Sequence, residues 1–288
     1  MFLKSRNIIV ILSLVIASCA PRVPYVYNPN FPVEARYASW GRHIVTNQTV
    51  VDTRGRPLFE VYYPGALQGP YPIITWGNGT GELPDTYHEL GQHLASWGFV
   101  FIAPYDENVG DGSSMLAGAE FLVAENSNPN SIFYGQLDIL HIGSAGTSQG
   151  ANGALNVHTN HQQGHLITTV AVHALPSSDF AHIAQDHDTS RVRVPLLILG
   201  GTEDEFFSPL KVNQAAARRV PRGVPVFLAM SIGGDHIEMA QDGGRMRGYL
   251  TAWMAYQLQG DAYAASAFTG TSPEIIRHPL WRDIYASN

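Results

Sequence analysis

Short apolar runs rich in β-branched and aromatic residues alternate with helix-like stretches, and this alternation constrains the fold more than any other feature. Strands that alternate with helices indicate a mostly parallel sheet with helices on both faces. Only a Thr-Arg-Gly-Arg-Pro turn separates the first two runs, which predicts an antiparallel hairpin at one edge. The sequence therefore predicts an α/β fold with about eight strands. The predicted strands are 44–51, 58–63, 73–76, 99–104, 140–145, 168–173, 195–200 and 224–230, and the predicted helices are 86–97, 114–124, 149–158, 209–219 and 239–259.

Length and charge narrow the class of protein. A chain of 288 residues that is 45% hydrophobic can bury one sizeable core, so we expect a single folded domain over residues 39–288. Charged residues make up only 14% of the chain, the formal net charge is -7, and there is no long basic run. Nucleic acid is therefore not an expected partner.

The N-terminal segment has the features of an export signal. Lys4 and Arg6 precede the apolar segment 8–16, which is too short for an ordinary spanning helix of about 20 residues. Small residues follow and lead directly to Cys19, the single cysteine of the chain, so no intrachain disulfide can form. The order of these features resembles a bacterial lipoprotein signal, although a plain secretory signal or an uncleaved anchor has similar features.

The resemblance to a lipoprotein signal implies a signal peptide over residues 1–18 and lipidation of Cys19. The mature protein would then touch the membrane only through its lipid anchor. Ala20 follows the cysteine where an aspartate often retains such proteins in the inner membrane, which favours the outer membrane or a surface-facing location. Residues 19–38 are rich in Pro, Asn and Tyr without an amphipathic period, and we interpret them as a tether.

The strongest motif is Gly-Thr-Ser-Gln-Gly at residues 146–150, which matches G-x-S-x-G. A predicted strand runs into the motif, and a segment of small residues suited to a helix follows it. A sharp strand-to-helix turn of this kind exposes the hydroxyl of Ser148 as a nucleophile. The flanking glycines are expected because a Cβ there would collide with the neighbouring strand and helix. The alternative is a glycine-rich turn without chemistry.

A serine hydroxyl needs a base to act as a nucleophile at neutral pH, and enzymes with this turn place the acid and then the histidine after the serine. Loops after two later strands supply both groups, and in a parallel sheet these loops lie beside the serine. We assign His236 as the general base and Asp204 as the group that orients it. Glu203, Glu205 and Asp235 compete with Asp204 for that role.

Other histidines have weaker claims to chemistry. His158, His161 and His165 have helix-like spacing, but no carboxylate or cysteine completes a ligand set nearby, so no metal is expected. His173 ends the strand after the nucleophile helix and precedes the acid in sequence. We therefore interpret it as a wall of the substrate pocket.

Acyl transfer also requires backbone N–H groups that stabilise the oxyanion. One donor is expected from Gln149, directly after the nucleophile, and the other from the loop after the third strand. That loop is rich in glycine, with Asn78 as the first candidate donor and Gly79 as the second. An ordinary glycine turn is the alternative. Trp76, just before the loop, is expected to shape the acyl pocket together with His173.

Taken together, these residues resemble the α/β-hydrolase superfamily over roughly residues 41–288. More narrowly, the chain resembles the bacterial cutinase, lipase and chlorophyllase-like group that is related to dienelactone hydrolases. Four stretches carry the resemblance, including Leu-Gln-Gly-Asp and Pro-Leu-Trp near the C-terminus. The family pattern Gly-x-x-Asp after the acid strand selects Asp204 as the acid. The four stretches are 73–79, 98–106, 138–150 and 251–281.

The family resemblance implies hydrolysis of carboxylic esters without a metal or organic cofactor. Small-molecule, lipid and polymeric esters are all compatible substrates. Two departures are clear, because extracellular cutinases usually carry a C-terminal disulfide and dienelactone hydrolases use a cysteine nucleophile. Residues 174–194 are too few for a large cap, so an open cleft is expected. An amide or peptide hydrolase with the same three residues, or a non-catalytic surface lipoprotein that binds a ligand, is the alternative.

Overall fold

The computed structural model describes residues 25–287. The predicted signal peptide, Cys19 and the first part of the predicted tether lie outside the described residues, so those interpretations stay predictions. Within residues 25–287, no helix combines the length and the apolar character needed to cross a membrane.

The described strands form one nine-stranded sheet in the order β1-β2-β4-β3-β5-β6-β7-β8-β9. The six central strands, β4-β3-β5-β6-β7-β8, pair in parallel. Strands β1, β2 and β9 pair antiparallel at the two edges. The strands are β1 (Val45–Val51), β2 (Pro57–Pro64), β3 (Tyr71–Gly77), β4 (Val100–Pro104), β5 (Leu137–Thr147), β6 (Ile167–His173), β7 (Leu196–Gly201), β8 (Val226–Ser231) and β9 (Trp281–Ser287).

Helices cover both faces of the sheet, and several are short. The described α-helices are α1 (Pro32–Ala38), α2 (His88–Ser96), α3 (Ser113–Asn126), α4 (Gln149–Asn160), α5 (Ala181–Ala184), α6 (Leu210–Arg219), α7 (Arg247–Gln259), α8 (Ala262–Ala265) and α9 (Glu274–Arg277). Short 3-10 turns connect some of these elements, among them Pro84–Tyr87 before α2 and Ser178–Phe180 before α5.

Alternate side chains of the strands build two apolar cores on opposite faces of the sheet. On β3, Ile74 belongs to the core beneath α2 and α7, whereas its neighbour Ile73 belongs to the core beneath α3, α4 and α6. Successive side chains of a strand point to opposite faces, so a strand buried on both faces reads as a continuous apolar run. This explains why the central strands were recognisable as apolar runs in the sequence.

The α/β class, the mostly parallel sheet and the N-terminal hairpin predicted from the sequence are confirmed. The ninth strand, Trp281–Ser287, was not predicted. It pairs antiparallel with β8 at the edge, and of its side chains only Trp281 is buried. A half-exposed edge strand lacks the apolar run that marks the central strands.

The helix predicted at residues 239–259 is shorter in the structure, where α7 begins only at Arg247. Three residues upstream have positive φ angles, namely Gln241 at 65°, Gly243 at 86° and Gly244 at 45°. Such left-handed conformations interrupt a right-handed helix. The start of the predicted helix is therefore wrong, and the segment before Gly244 instead forms a loop near the cleft described below.

The structure also differs from the prediction in the last part of the tether, because residues 32–38 form α1 and pack onto the domain. Val33 and Tyr37 are buried, and the carboxylate of Glu274 accepts the backbone N–H groups of Val33 and Glu34, each at 2.8 Å. The buried carboxylate of Glu34 in turn lies 3.0 Å from Nε2 of His278. A helix of seven residues is too short to show a clear period in the sequence.

Candidate active site

Ser148 lies on a sharp turn between β5 and α4, at the carboxyl end of the sheet. Its φ of 53° and ψ of -123° are unusual for a residue with a side chain. The backbone N–H of Ser148 donates to the carbonyl of His173 on the neighbouring strand β6, at 3.1 Å. Strained backbone conformations of this kind persist where the surrounding structure holds them, and they concentrate at functional sites.

The glycines of the motif allow the backbones around Ser148 to approach each other closely. A Cβ on Gly150 would lie only 2.0 Å from the carbonyl oxygen of Gly77 on β3. A Cβ on Gly146 would lie 2.2 Å from the carbonyl oxygen of Gly150. Because both obstacles are backbone atoms that cannot rotate away, any larger residue at these positions would displace the turn that presents Ser148.

The structure brings Ser148, His236 and Asp204 together in one hydrogen-bonded line. Nε2 of His236 lies 2.9 Å from Oγ of Ser148, and Nδ1 lies 2.6 Å from Oδ2 of Asp204. Ser148 follows β5, Asp204 follows β7 and His236 follows β8, so the three loops meet because these strands are parallel and close in the sheet. The hydrogen bonds link the three side chains in the sequence expected for a nucleophile, a base and an orienting carboxylate.

The carboxylate of Asp204 is buried, with only 1% of its side chain exposed. Burial alone raises the pKa of a carboxyl group, but the hydrogen bond and positive charge offered by His236, together with the backbone N–H of Ser208, outweigh it and hold the pKa of Asp204 below its ordinary value. Oδ1 accepts the N–H groups of Phe207 and Ser208, each at 3.2 Å. The group is thus an ionised, fixed acceptor behind the imidazole.

The three competing carboxylates lie elsewhere. Glu203 and Glu205 are exposed on the loop that contains Asp204. Asp235 accepts the backbone N–H of Ile237 at 3.1 Å, in a turn of its own loop. Neighbouring residues of one loop point in different directions, and here Asp204 is the one that contacts His236.

A cleft opens at Ser148 and His236, and its walls are mostly apolar. Several wall residues come from the loop after β6 and from α5. Among the described residues, the segment between β6 and β7 contains only short helices and no large cap. Phe207 stacks obliquely on the ring of His236, with the ring centroids 4.7 Å apart. The lining residues are Gly79, Thr80, Glu82, Tyr87, Thr147, Ser148, Pro176, Phe180, Ile183, Ala184, Phe207, His236, Ile237 and Ala240.

Most of these wall residues were not identified from the sequence. Phe207 follows the acid by three positions, so an aromatic residue near the end of an acid loop was an available signal. Ile183 and Ala184 had no such signal, because their segment is polar and its placement depends on tertiary contacts.

Those contacts come from amide side chains on one face of α4. Gln149 accepts the N–H of Val109 at 2.9 Å and donates to the carbonyl of Ile183 at 2.6 Å. Asn152 donates to the carbonyls of Ala184 and Gln185, at 3.1 and 2.8 Å. Since residues three apart share a helix face, helix α4, which follows the nucleophile, fixes the wall formed by α5.

We expect Asn152→Ala to lower the free energy of unfolding by about 1–3 kcal/mol, because the buried carbonyl of Ala184 in the cleft wall and the carbonyl of the adjacent Gln185 lose their donor. Urea unfolding monitored by tryptophan fluorescence measures the change. Gln163→Ala, at an exposed position, is the matched amide control and should change stability by less than about 0.5 kcal/mol. Equal, small effects of both variants would contradict a role of Asn152 in holding the wall.

Two residues predicted to line the pocket lie behind it instead. Trp76 is fully buried in the core, with its ring 5.0 Å from that of Tyr87, which itself faces the cleft. His173 is also fully buried, and its Nδ1 lies 2.9 Å from Oγ1 of Thr147. Each side chain points into the interior from the end of its strand and contacts a residue of the cleft wall from behind. The prediction that Trp76 and His173 themselves form the wall is therefore wrong.

The loop after β3 differs in part from the predicted oxyanion hole. The N–H of Gly79 already donates to the hydroxyl of Tyr87, at 3.0 Å, so this donor is occupied. The side chain of Asn78 is buried and donates to the carbonyl of Pro104 at 2.8 Å, which anchors the loop to β4. Gln149 is the first residue of α4, where backbone N–H groups have no partner within the helix.

The spaced histidines contact backbone groups. Nδ1 of His158 lies 3.1 Å from the carbonyl of Gly164, and Nε2 of His161 lies 2.8 Å from that of Asp111. Nδ1 of His165 lies 3.0 Å from the carbonyl of Gln162. In the part of the chain that the structure describes, no three metal-ligating side chains are placed to hold a metal ion.

The parallel sheet, the turn at Ser148 and the helices on both faces define an α/β-hydrolase. The sequence model of the PET hydrolase-like family matches residues 19–278, and the chain belongs to this family. Membership points to an ester hydrolase of the α/β-hydrolase type and confirms the resemblance found in the sequence. Comparison with curated proteins yields no match.

Proposed function

We propose that the protein is a serine esterase that hydrolyses carboxylic esters through an acyl-enzyme intermediate. Ser148 is the nucleophile, His236 the general base and Asp204 the carboxylate that orients the imidazole. The observation that carries the proposal is the position of His236, whose two ring nitrogens contact Ser148 and Asp204 at 2.9 and 2.6 Å. These distances suit proton transfer.

In the first half of the reaction, Oγ of Ser148 attacks the ester carbonyl carbon while Nε2 of His236 takes the hydroxyl proton. The negatively charged oxygen of the tetrahedral intermediate accepts hydrogen bonds from the backbone N–H groups of Gln149 and Asn78. The N-terminus of α4 adds a favourable dipole at the same place. When the intermediate collapses, His236 returns the proton to the departing alcohol.

In the second half, water attacks the acyl-enzyme and His236 again serves as the base. Collapse of the second tetrahedral intermediate releases the carboxylic acid and returns the proton to Ser148. The buried, ionised Asp204 stabilises the imidazolium in both halves and keeps Nδ1 protonated, so that Nε2 faces the serine. The mechanism requires no cofactor, and all of its groups come from this chain.

The cleft walls support an apolar ester substrate. Pro176, Phe180 and Ile183 line one part of the cleft, and Phe207 and Ile237 lie beside the histidine. Apolar surface of this kind gains free energy by taking alkyl or aryl groups out of water. Small esters, or one segment of a lipid or polymer, are the substrates that we expect this cleft to bind.

The test is hydrolysis of p-nitrophenyl butyrate together with labelling by a fluorophosphonate, which reacts with activated serines. We expect turnover of the ester and loss of activity as one label attaches per chain. Mass spectrometry of the digested protein should locate the label on Ser148. Butyryl p-nitroanilide, with the same acyl group, measures amide hydrolysis in parallel.

Other outcomes would contradict the proposal in different ways. Faster turnover of the anilide than of the ester would favour an amide hydrolase with the same three residues. A protein that neither turns over the ester nor takes the label would favour a non-catalytic binding protein. A label at a different serine would reject Ser148 as the nucleophile.

A further inference from the structure

One carboxylate residue belongs to the wall of the mostly apolar cleft. Glu82, on the loop between β3 and α2, lines the same cleft as Ser148 and His236. The other titratable lining residues are Tyr87 and His236, and neither lysine nor arginine is among the lining residues. The ester mechanism proposed above makes no use of Glu82.

Hydrogen bonds hold the carboxylate of Glu82 in place. It accepts a hydrogen bond from the hydroxyl of Tyr87, and that hydroxyl accepts the N–H of Gly79 at 3.0 Å. The N–H of Glu82 donates to the carbonyl of Gly79 at 3.1 Å, which closes the turn. A Cβ on Gly79 would lie 2.3 Å from Oε2 of Glu82, so glycine at this position leaves room for the carboxylate.

Glutamate side chains ordinarily carry a negative charge at neutral pH, and the hydroxyl of Tyr87 donates a hydrogen bond to the carboxylate of Glu82. Burial, followed by the negative charge of Glu82, raises the pKa of Tyr87 well above its usual range, so its hydroxyl stays protonated and donates. A carboxylate that accepts such a bond presents a fixed negative charge to the cleft. Apolar walls lower the local dielectric and strengthen the effect of this charge on a bound substrate.

We propose that Glu82 is a specificity-determining residue that favours esters carrying a positive charge and disfavours esters and products carrying a negative one. This inference rests on the proposed ester hydrolysis. A substrate cation in the cleft would meet the carboxylate of Glu82 in a wall that also contains the aromatic side chains of Phe180 and Phe207, and aromatic rings attract alkylammonium groups. A negative charge on the substrate or product near Glu82 would be repelled by its carboxylate.

The charge preference has two measurable consequences. An ester of a cationic alcohol should be hydrolysed with a higher kcat/KM than a neutral ester of the same shape. A carboxylate product should inhibit more weakly than its neutral amide. For charges about 4 Å apart, the factor is about fivefold in water and about 1000-fold at a protein surface, and for a substrate charge that stays in contact with water we expect each factor to be on the order of tenfold.

The experiment compares substrates and inhibitors that differ in charge but little in shape. Butyrylcholine and its neutral analogue 3,3-dimethylbutyl butyrate form the substrate pair, and butyrate and butyramide form the inhibitor pair. Each ratio is measured in the full-length wild type and in Glu82→Gln, whose amide oxygen still accepts from Tyr87. A ratio within one preparation is independent of the fraction of folded protein.

We expect both ratios to fall by about tenfold in Glu82→Gln and to be retained in large part by Glu82→Asp, which keeps the charge. Glu89→Gln is the matched control, because Glu89 is exposed on α2 and does not line the cleft. Unchanged ratios in Glu82→Gln would overturn the inference while leaving the proposed esterase intact. If the wild type hydrolyses neither butyrate ester, the proposed function fails, and the inference fails with it.

Discussion

Replacing Ser148 by alanine is expected to reduce kcat for p-nitrophenyl butyrate by about 10⁴- to 10⁶-fold. The reason is that the variant lacks the oxygen that attacks the ester, whereas His236, the cleft and the backbone N–H donors remain. Residual turnover above the uncatalysed rate would come from those donors and from binding. The fluorophosphonate should no longer label the chain at this position.

The control for this prediction is Ser144→Ala on β5, the strand that leads into Ser148. The hydroxyl of Ser144 is buried and donates to the carbonyl of Ala154 at 2.8 Å, away from the cleft. Its loss should cost about 1 kcal/mol of stability and change kcat less than tenfold. If Ser148→Ala retains more than about a tenth of the wild-type kcat after correction for folded protein, the serine is not the nucleophile.

The sequence was most informative where one local pattern required one structure. The strand, the Gly-Thr-Ser-Gln-Gly turn and the following small residues together predicted the turn at Ser148, because the glycines allow contacts between backbones that no larger residue permits. The loops with Asp204 and His236 were located in the same way, since each follows a strongly apolar parallel strand. Strand order then brings the loops together.

The walls of the cleft were predicted less well, because they depend on contacts between distant segments. Trp76 precedes a functional loop, yet its side chain points into the core and not into the cleft. The backbone N–H of Gly79 donates to the hydroxyl of Tyr87, which lies eight residues later in the sequence. Neither the direction of a strand-end side chain nor such a partner can be deduced from spacing alone.

The same limit applies at the two termini. Helix α1 is stabilised by Glu274 and by a buried contact between Glu34 and His278, more than 200 residues apart in sequence. Seven residues offer too few turns for an amphipathic pattern to show. The N-terminal helix and the C-terminal strand β9 were therefore missed for related reasons, since α1 depends mainly on packing against α7 and β9 depends on pairing with β8 at the edge of the sheet.

Asp204→Asn is expected to lower kcat by about 10³- to 10⁴-fold with a much smaller change in KM. An amide of the same shape can still accept the N–H groups of Phe207 and Ser208, so the loop should fold as before. The variant lacks the negative charge that stabilises the imidazolium of His236, and its NH₂ group favours the tautomer with the wrong ring nitrogen protonated. Steady-state kinetics with p-nitrophenyl butyrate measures both constants.

Asp235→Asn is the matched variant for this prediction. Asp235 lies next to His236 in sequence, and this substitution removes the same charge as Asp204→Asn at a neighbouring position. Asp235 accepts the N–H of Ile237 and not a proton of the imidazole, so its replacement should change kcat by less than about tenfold. A larger loss in Asp235→Asn than in Asp204→Asn would transfer the orienting role to Asp235. Comparable large losses in both would mean that the summed negative charge around His236, and not the single 2.6 Å contact, stabilises the imidazolium.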